Sequence, residues 1–99
     1  MNYRALYYQL FAAMADAVEL LEQMLEKGSV MLASDVGCGA VCCRAAMECA
    51  AMNVYVNTRT LKNRVVAEAL ERKADGLLKE YGARAEAVAG QVTAQLRGR

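Results

Sequence analysis

Five side chains in this sequence have the type and spacing to meet a polar heterocycle or an anion. Asp35 follows Ser34 ahead of an apolar run. A carboxylate there either caps a helix by accepting backbone N–H bonds, or binds an N–H-rich ring and moves a proton. Asn53 and Asn57 stand four apart, which on a helix places both amides on one face. Their simpler use is C-capping and turn-making, and their sharper use is two-point recognition of a ligand amide. Arg59 and Lys62 come next, near the expected start of the last helix, where positive charge opposes the helix dipole and an anion would relieve it. There is no nucleophile–base pair, phosphate-binding loop or carboxylate dyad of recognisable spacing. The chain has no histidine, which removes the usual neutral-pH acid/base and most zinc or haem ligation.

Two further groups invite chemistry and have a plainer reading. Cys38, Cys42, Cys43 and Cys49 all fall in one helical stretch. One helix cannot wrap a tetrahedral metal, and disulfides within a helix are awkward, so no metal site is expected. The thiols are expected to be small buried packing groups in a reducing cytoplasm. Arg44 and Glu48 read as an i,i+4 ion pair at a bundle edge or dimer interface, with a ligand pocket as the other reading.

The element that positions these residues is the run SDVGCGAVCCRAAMECAAMNVYVNTRT, Ser34 to Thr60. Between Val36 and Val56 it carries only three strongly polar side chains, Arg44, Glu48 and Asn53. A helix apolar all round must be covered on all sides, so a buried central helix is expected over 35–56, capped by Ser34 or Asp35. The stretch Asn53–Asn57 is expected to end it and pass into an extended turn. Gly37, Gly39, Ala40, Cys43, Ala46 and Ala50 are small enough for a second helix to approach closely. The two early glycines cost about 1 kcal/mol each against alanine, which close packing or ligand access must offset.

A first helix is expected over 3–27. Tyr3, Tyr7, Leu10, Met14, Ala17, Leu21 and Met24 form its stripe, Phe11, Val18 and Leu25 widen it, and Lys27-Gly28 close it. The apolar connector Ser29–Ala33 is expected to tuck under the bundle. A third helix is expected over 61–97 with Thr58 or Thr60 as cap. Its stripe runs Val66, Leu70, Ala74, Leu77, Tyr81, Ala85, Val88, Val92, Leu96, and its outer face carries the pairs Glu68–Arg72, Asp75–Lys79 and Glu80–Arg84. A bend near Tyr81-Gly82 is expected. The fold class is therefore all-α, three long helices in a single domain over 1–99.

The chain has 99 residues, a net charge of +1, no proline and 57% hydrophobic residues. No field of one sign favours nucleic acid. Segment 36–56 is long enough to span a bilayer, but Arg44 and Glu48 sit in its middle, so neither a membrane nor a nucleic acid is expected as partner. No signal peptide is visible, and the expected location is the cytoplasm. An apolar excess in a chain this short points to a partner surface, most simply a second copy.

The run SDVGCGAVCCRAAMECAAMNVYVNTRTLKN resembles the formimidoyltetrahydrofolate cyclodeaminase / methenyltetrahydrofolate cyclohydrolase family. Members carry a similar SD-x-G-x-(G/A)-A stretch, a small-residue helix, and LNV-x-(I/V)-N before the last helix. Here these are Ser34-Asp35-Val36-Gly37-Cys38-Gly39-Ala40 and Met52-Asn53-Val54-Tyr55-Val56-Asn57. The resemblance extends over about residues 5 to 97. It implies an all-α homodimer and folate one-carbon chemistry, with a tetrahydrofolate derivative as substrate and neither metal nor resident cofactor. By position, it assigns Asp35 to pterin binding or proton transfer and Asn53 and Asn57 to folate contacts. Arg59 and Lys62 would meet the glutamate tail. The family's first half carries a glycine-rich Pro-Gly-Gly-Gly-Ser loop that this sequence lacks, and Asn63-Arg64 stand where many members have acidic residues. The chain thus resembles the C-terminal half of the domain. It is expected either to need the other half for chemistry, or to serve as a non-catalytic helical dimerisation module.

Overall fold

The computed structural model describes residues 3–28 and 30–98. Ser29 and the side chain of Val30, expected in the connector, and the side chain of Tyr3, expected in the first stripe, lie outside the described residues. The chain forms α1 (Tyr3–Lys27), a 3-10 turn (Val30–Leu32), α2 (Ala33–Thr58) and α3 (Arg64–Leu96). No strand occurs among the described residues, and the all-α expectation holds. The helices run up, down and up. α2 packs against both neighbours, while α1 and α3 touch each other least.

On α1 the positions that widen the stripe turn out to be its centre. Phe11 is 1% exposed and Val18 fully buried, with Ala15 between them. Tyr7, Met14, Leu21 and Leu25 pack around this line, whereas Leu10 and Met24 sit at its open margin. The Gly28 N–H donates to Met24 O at 2.7 Å and closes the helix.

α2 buries one face: Val36, Gly37, Ala40, Met47, Ala50, Ala51, Val54 and Thr58. It is not covered on all sides. Val41, Met52 and Val56 remain 58%, 63% and 61% exposed, because two flanking helices cover only part of a cylinder. The small-residue expectation holds at two positions. A Cβ on Gly37 would lie 2.7 Å from Val92 Cγ1, and one on Gly39 would lie 3.1 Å from Leu21 Cδ2.

The helix ends differ from expectation. α2 starts at Ala33 with Leu32 as N-cap and no capping side chain, so Ser34 and Asp35 lie inside its first turn. Asp35 there complements the positive end of the dipole. The helix continues through Asn53–Asn57 to Thr58, without an extended turn. α3 starts at Arg64 and is capped by Asn63, whose side chain accepts the Val66 N–H at 3.2 Å. Thr58 belongs to α2, and Thr60 donates to Asn57 O at 3.3 Å. α3 runs unbroken through Tyr81-Gly82, with Gly82 buried.

Ion pairs and thiols also differ. Arg44 pairs with Glu86 of α3 at 2.8 Å, not with Glu48. Of the expected outer-face pairs, Glu80–Arg84 is at 3.9 Å, while Asp75 accepts from Tyr55. Cys38, Cys42 and Cys49 are exposed rather than buried, because they fall on the uncovered flank of α2. Cys43 is half-buried, and burial pushes its thiol up, with Cys42 adding to the effect. Among the described residues no three His, Cys, Asp or Glu side chains gather as a metal site, and no helix is long and apolar enough to cross a membrane.

The molecule is elongated, 53 × 23 × 15 Å, with a radius of gyration of 15.6 Å against about 13 Å for a compact chain of this length. Its accessible surface is 6577 Å², roughly 1,000 Å² above the ~5,500 Å² typical of a compact 10.8 kDa monomer.

Candidate functional site

The end of α2 meets the start of α1 and the first turns of α3, and polar side chains from all three helices converge there. Asn57 Nδ2 donates to Asn53 O at 2.7 Å and to Tyr7 Oη at 3.3 Å. Asn53 Nδ2 donates to Cys49 O at 2.8 Å. These bonds use the donor side of each amide. They leave the carbonyl oxygens as acceptors, the side that can receive N–H groups from a heterocycle. Arg64 Nη1 donates to Thr58 O at 2.9 Å and Leu61 O at 3.1 Å, and so fastens the α2–α3 turn. Lys73 Nζ sits 4.0 Å over the Tyr8 ring, a cation–π contact.

Two carboxylates of α3, Glu71 and Asp75, lie one turn apart and each receives a hydroxyl from α2. Buried Thr58 donates to Glu71 Oε1 at 2.6 Å, which satisfies a hydroxyl that burial would otherwise penalise. Tyr55 donates to Asp75. That bond, with burial and the charges of Asp75 and Glu71, pushes the Tyr55 phenol from 10.0 up to about 12. A raised folded-state value means the neutral phenol is favoured in the fold. This stabilisation is complete below pH 10.0 and is lost as pH rises towards about 12. In an alkaline titration followed by tyrosinate absorbance, one phenol is expected to ionise near pH 12. Asp75→Asn is expected to bring that midpoint back towards 10.0. An unchanged titration would show that Asp75 does not hold Tyr55.

The structure gathers four of the five sequence-predicted residues. Asn53, Asn57, Arg59 and Lys62 lie at this end, all exposed. Asp35 lies at the opposite end of α2, about 27 Å from Asn53 and about 33 Å from Asn57 along the helix at 1.5 Å per residue. Within one chain it cannot share a ligand's reacting atoms with them. Arg59 and Lys62 precede α3 instead of standing in its first turn. Arg59 is the C-cap residue of α2, its N–H donating to Tyr55 O at 3.0 Å. There positive charge suits the dipole, so the electrostatic argument for an anion at Arg59 falls away.

Sequence reasoning missed Tyr7, the Thr58–Glu71 bond and the Tyr55–Asp75 bond. Tyr7 falls on the apolar stripe of α1, and all three contacts join residues on different helices. The one local trace was the i,i+4 spacing of Glu71 and Asp75.

A second polar cluster sits on the α1–α3 seam. Arg84 donates from Nε to Glu22 Oε2 at 3.0 Å and from Nη2 to Glu22 Oε1 at 2.5 Å. Glu19 lies 4.0 Å from its guanidinium, and the group stacks 4.8 Å over the Tyr81 ring. The Arg84 bond holds the Glu22 carboxyl below its usual range. A shallow groove of about 390 Å³ runs beside this clasp, lined by Glu22, Leu25, Glu26, Arg84, Gln91 and Gln95 among others. With its guanidinium committed to carboxylates, Arg84 is a tie between helices.

Residues 6–76 match the sequence model of the formiminotransferase-cyclodeaminase family. The match takes in α1, α2 and the start of α3, and so both motifs and the whole polar cluster. Over 68 residues the chain is 38% identical to a methenyltetrahydrofolate cyclohydrolase of Methylorubrum extorquens, covering 69% of this chain and 33% of that protein. The chain thus spans about a third of the length of this curated relative. No solved structure matches the chain. With a match across α1, α2 and the α2–α3 junction, the chain belongs to the formiminotransferase-cyclodeaminase family.

Proposed function

We propose that this chain works in folate one-carbon chemistry, in one of two related reactions. In the first, a folate nitrogen attacks the formimidoyl carbon of 5-formimidoyl-tetrahydrofolate. The new C–N bond closes the ring, the former imino nitrogen takes up the attacking nitrogen's proton and a second from a proton carrier, and its C–N bond breaks as ammonia leaves to give 5,10-methenyl-tetrahydrofolate. In the second, water adds to the methenyl carbon, one of its protons is released, and the other passes to the bridge nitrogen as that nitrogen's C–N bond breaks. Both reactions require a positioned folate and a proton carrier and no redox partner. The observation that carries this reading is the 38% identity to a methenyltetrahydrofolate cyclohydrolase. The polar cluster supports it from the chemical side.

In this reading the side-chain oxygens of Asn53 and Asn57 accept N–H bonds from the folate and orient the bridge. Lys62 and Arg59 meet the carboxylates of its glutamate tail. Asp35, which cannot reach the Asn53 and Asn57 of its own chain, binds the pterin or carries the proton in a site completed by another polypeptide. The tetrahydrofolate derivative is substrate, and no resident cofactor is involved. Because the chain spans a third of its relative, we propose that a further segment bearing the glycine-rich loop completes the site, in the cytoplasm.

The test uses the chain alone and with a polypeptide carrying that segment. Methenyl absorbance is expected to rise with 5-formimidoyl-tetrahydrofolate, or to fall with the methenyl compound, and Asn57→Ala is expected to reduce the rate at least about tenfold. A folded chain that binds no folate and changes neither compound in either mixture sinks this reading. It would leave a non-catalytic helical dimerisation module, which the open flank of α2 favours.

A further inference from the structure

We propose that Tyr7 selects the ring lactam of the substrate's pterin, its hydroxyl donating to the lactam carbonyl while the Asn57 side-chain oxygen accepts from the neighbouring ring N–H. The assignment rests on the folate reading. Within it, a residue of α1 that lies outside both motifs becomes a determinant of specificity.

The bonding around Asn57 fixes where the protons are. Asn57 Nδ2 lies 2.7 Å from Asn53 O and 3.3 Å from Tyr7 Oη. An amide oxygen would repel a backbone carbonyl at the first of these distances, so the nitrogen is the atom that faces Asn53. That nitrogen carries two hydrogens and accepts none. One hydrogen goes to Asn53 O and the other to Tyr7 Oη. The tyrosine oxygen therefore accepts from Asn57, and its own hydrogen must point elsewhere. Among the described residues no protein atom takes that hydrogen, and none donates to Asn57 Oδ1. A free donor on α1 and a free acceptor on α2 thus stand side by side, held in order by the bond they share.

A lone hydroxyl or a lone amide would suit many polar ligands. The ordered pair suits a narrower class, a ring that offers an N–H beside a C=O. A pterin with a 4-oxo group has that edge. A ring with the order reversed turns a nitrogen lone pair towards the Asn57 oxygen and an N–H towards the tyrosine proton, and both contacts are adverse. The pair is also held in place. The Tyr7 side chain is half-buried and packs against the hydrophobic core, so the hydroxyl sits on a fixed stem. Asn57 is pinned by its bond to the preceding turn of α2. Neither group has to be ordered when the ligand arrives, which favours binding.

The test compares tetrahydrofolate with its 4-amino analogue, in which the edge is reversed. Equilibrium binding is measured on the chain mixed with the polypeptide that carries the glycine-rich loop. The wild-type chain is expected to bind the 4-oxo compound at least about tenfold more tightly than the 4-amino compound. Tyr7→Phe keeps the ring in the core and removes only the hydroxyl, so helicity and the urea midpoint are expected to stay as in wild type. This variant is expected to raise the dissociation constant of tetrahydrofolate about three- to tenfold and to leave that of the 4-amino compound unchanged. A merely structural role of Tyr7 would weaken both compounds alike. That result, a Tyr7→Phe protein that binds both as wild type does, or a wild type that prefers neither compound, overturns the assignment, and folate binding by the wild type then leaves the folate reading standing. A wild-type mixture that binds neither compound removes the folate reading and the assignment with it.

Discussion

Gly37→Leu is expected to destabilise the chain by about 2–3 kcal/mol, the upper range for overfilling a packed contact. Even a methyl group at Gly37 would lie 2.7 Å from Val92 Cγ1 and 3.0 Å from Val92 Cβ. Val92 cannot swing aside. It is 3% exposed, and a β-branched side chain on a helix has essentially one χ1 position. The backbones of α2 and α3 must therefore move apart at their closest approach. Removing a glycine from a helix returns about 1 kcal/mol, which offsets only part of the loss. The signature of this mechanism is non-additivity. Val92→Ala alone opens a void, yet in a Gly37→Ala background it makes room for the added methyl. The pair should be at least about 1 kcal/mol more stable than the sum of the two changes predicts. Urea midpoints of the four proteins measure this. A Gly37→Leu protein as stable as wild type would show that α2 and α3 do not meet there.

Phe11→Ala should have the largest effect of any single truncation. Phe11 is the largest side chain in the fully buried set, 1% exposed. Removing a buried phenyl ring costs about 3–5 kcal/mol, from lost transfer energy and the cavity left behind. A typical domain holds only about 5–15 kcal/mol in total, so this variant should be largely unfolded or melt far below wild type in circular dichroism. Leu20→Ala on the same helix is the control. Leu20 is 57% exposed, and its loss should stay within about 0.5 kcal/mol. Equal effects of the two changes would mean that α1 is rotated from the orientation described.

What was legible in the sequence follows from the range of the interactions involved. Helix identity is local, and the apolar periods of α1 and α3 predicted both helices within a few residues. The phase of α2 was not legible. A segment of alanine, cysteine, glycine and valine is apolar in every direction, so nothing distinguishes the buried line through Ala40, Met47 and Val54 from the open line through Cys42, Cys49 and Val56. The expectation of buried thiols fails for that reason. Caps failed for another reason. Ser34-Asp35 is a good capping pair, but the chain enters α2 through the 3-10 turn that ends at Leu32, and the cap position falls earlier. At the site, the motif ends were legible as polar groups at the two ends of one helix, because the run between them is long and apolar. Asp35 and Asn57 stand at opposite ends of the helix expected over 35–56, and α2 keeps them there. Tyr7, Glu71 and Asp75 became site residues only once three helices had been brought together.

An elongated outline has a thermodynamic consequence. A chain that keeps more skin than its mass requires draws less stability from its own interior than a rounder chain would. Any neighbour that covers the α2 flank binds the folded chain and not the unfolded one, so it adds stability by mass action. Where a neighbour binds there, the melting temperature would no longer be a fixed property of the polypeptide. With such a neighbour bound, it would rise with that neighbour's concentration.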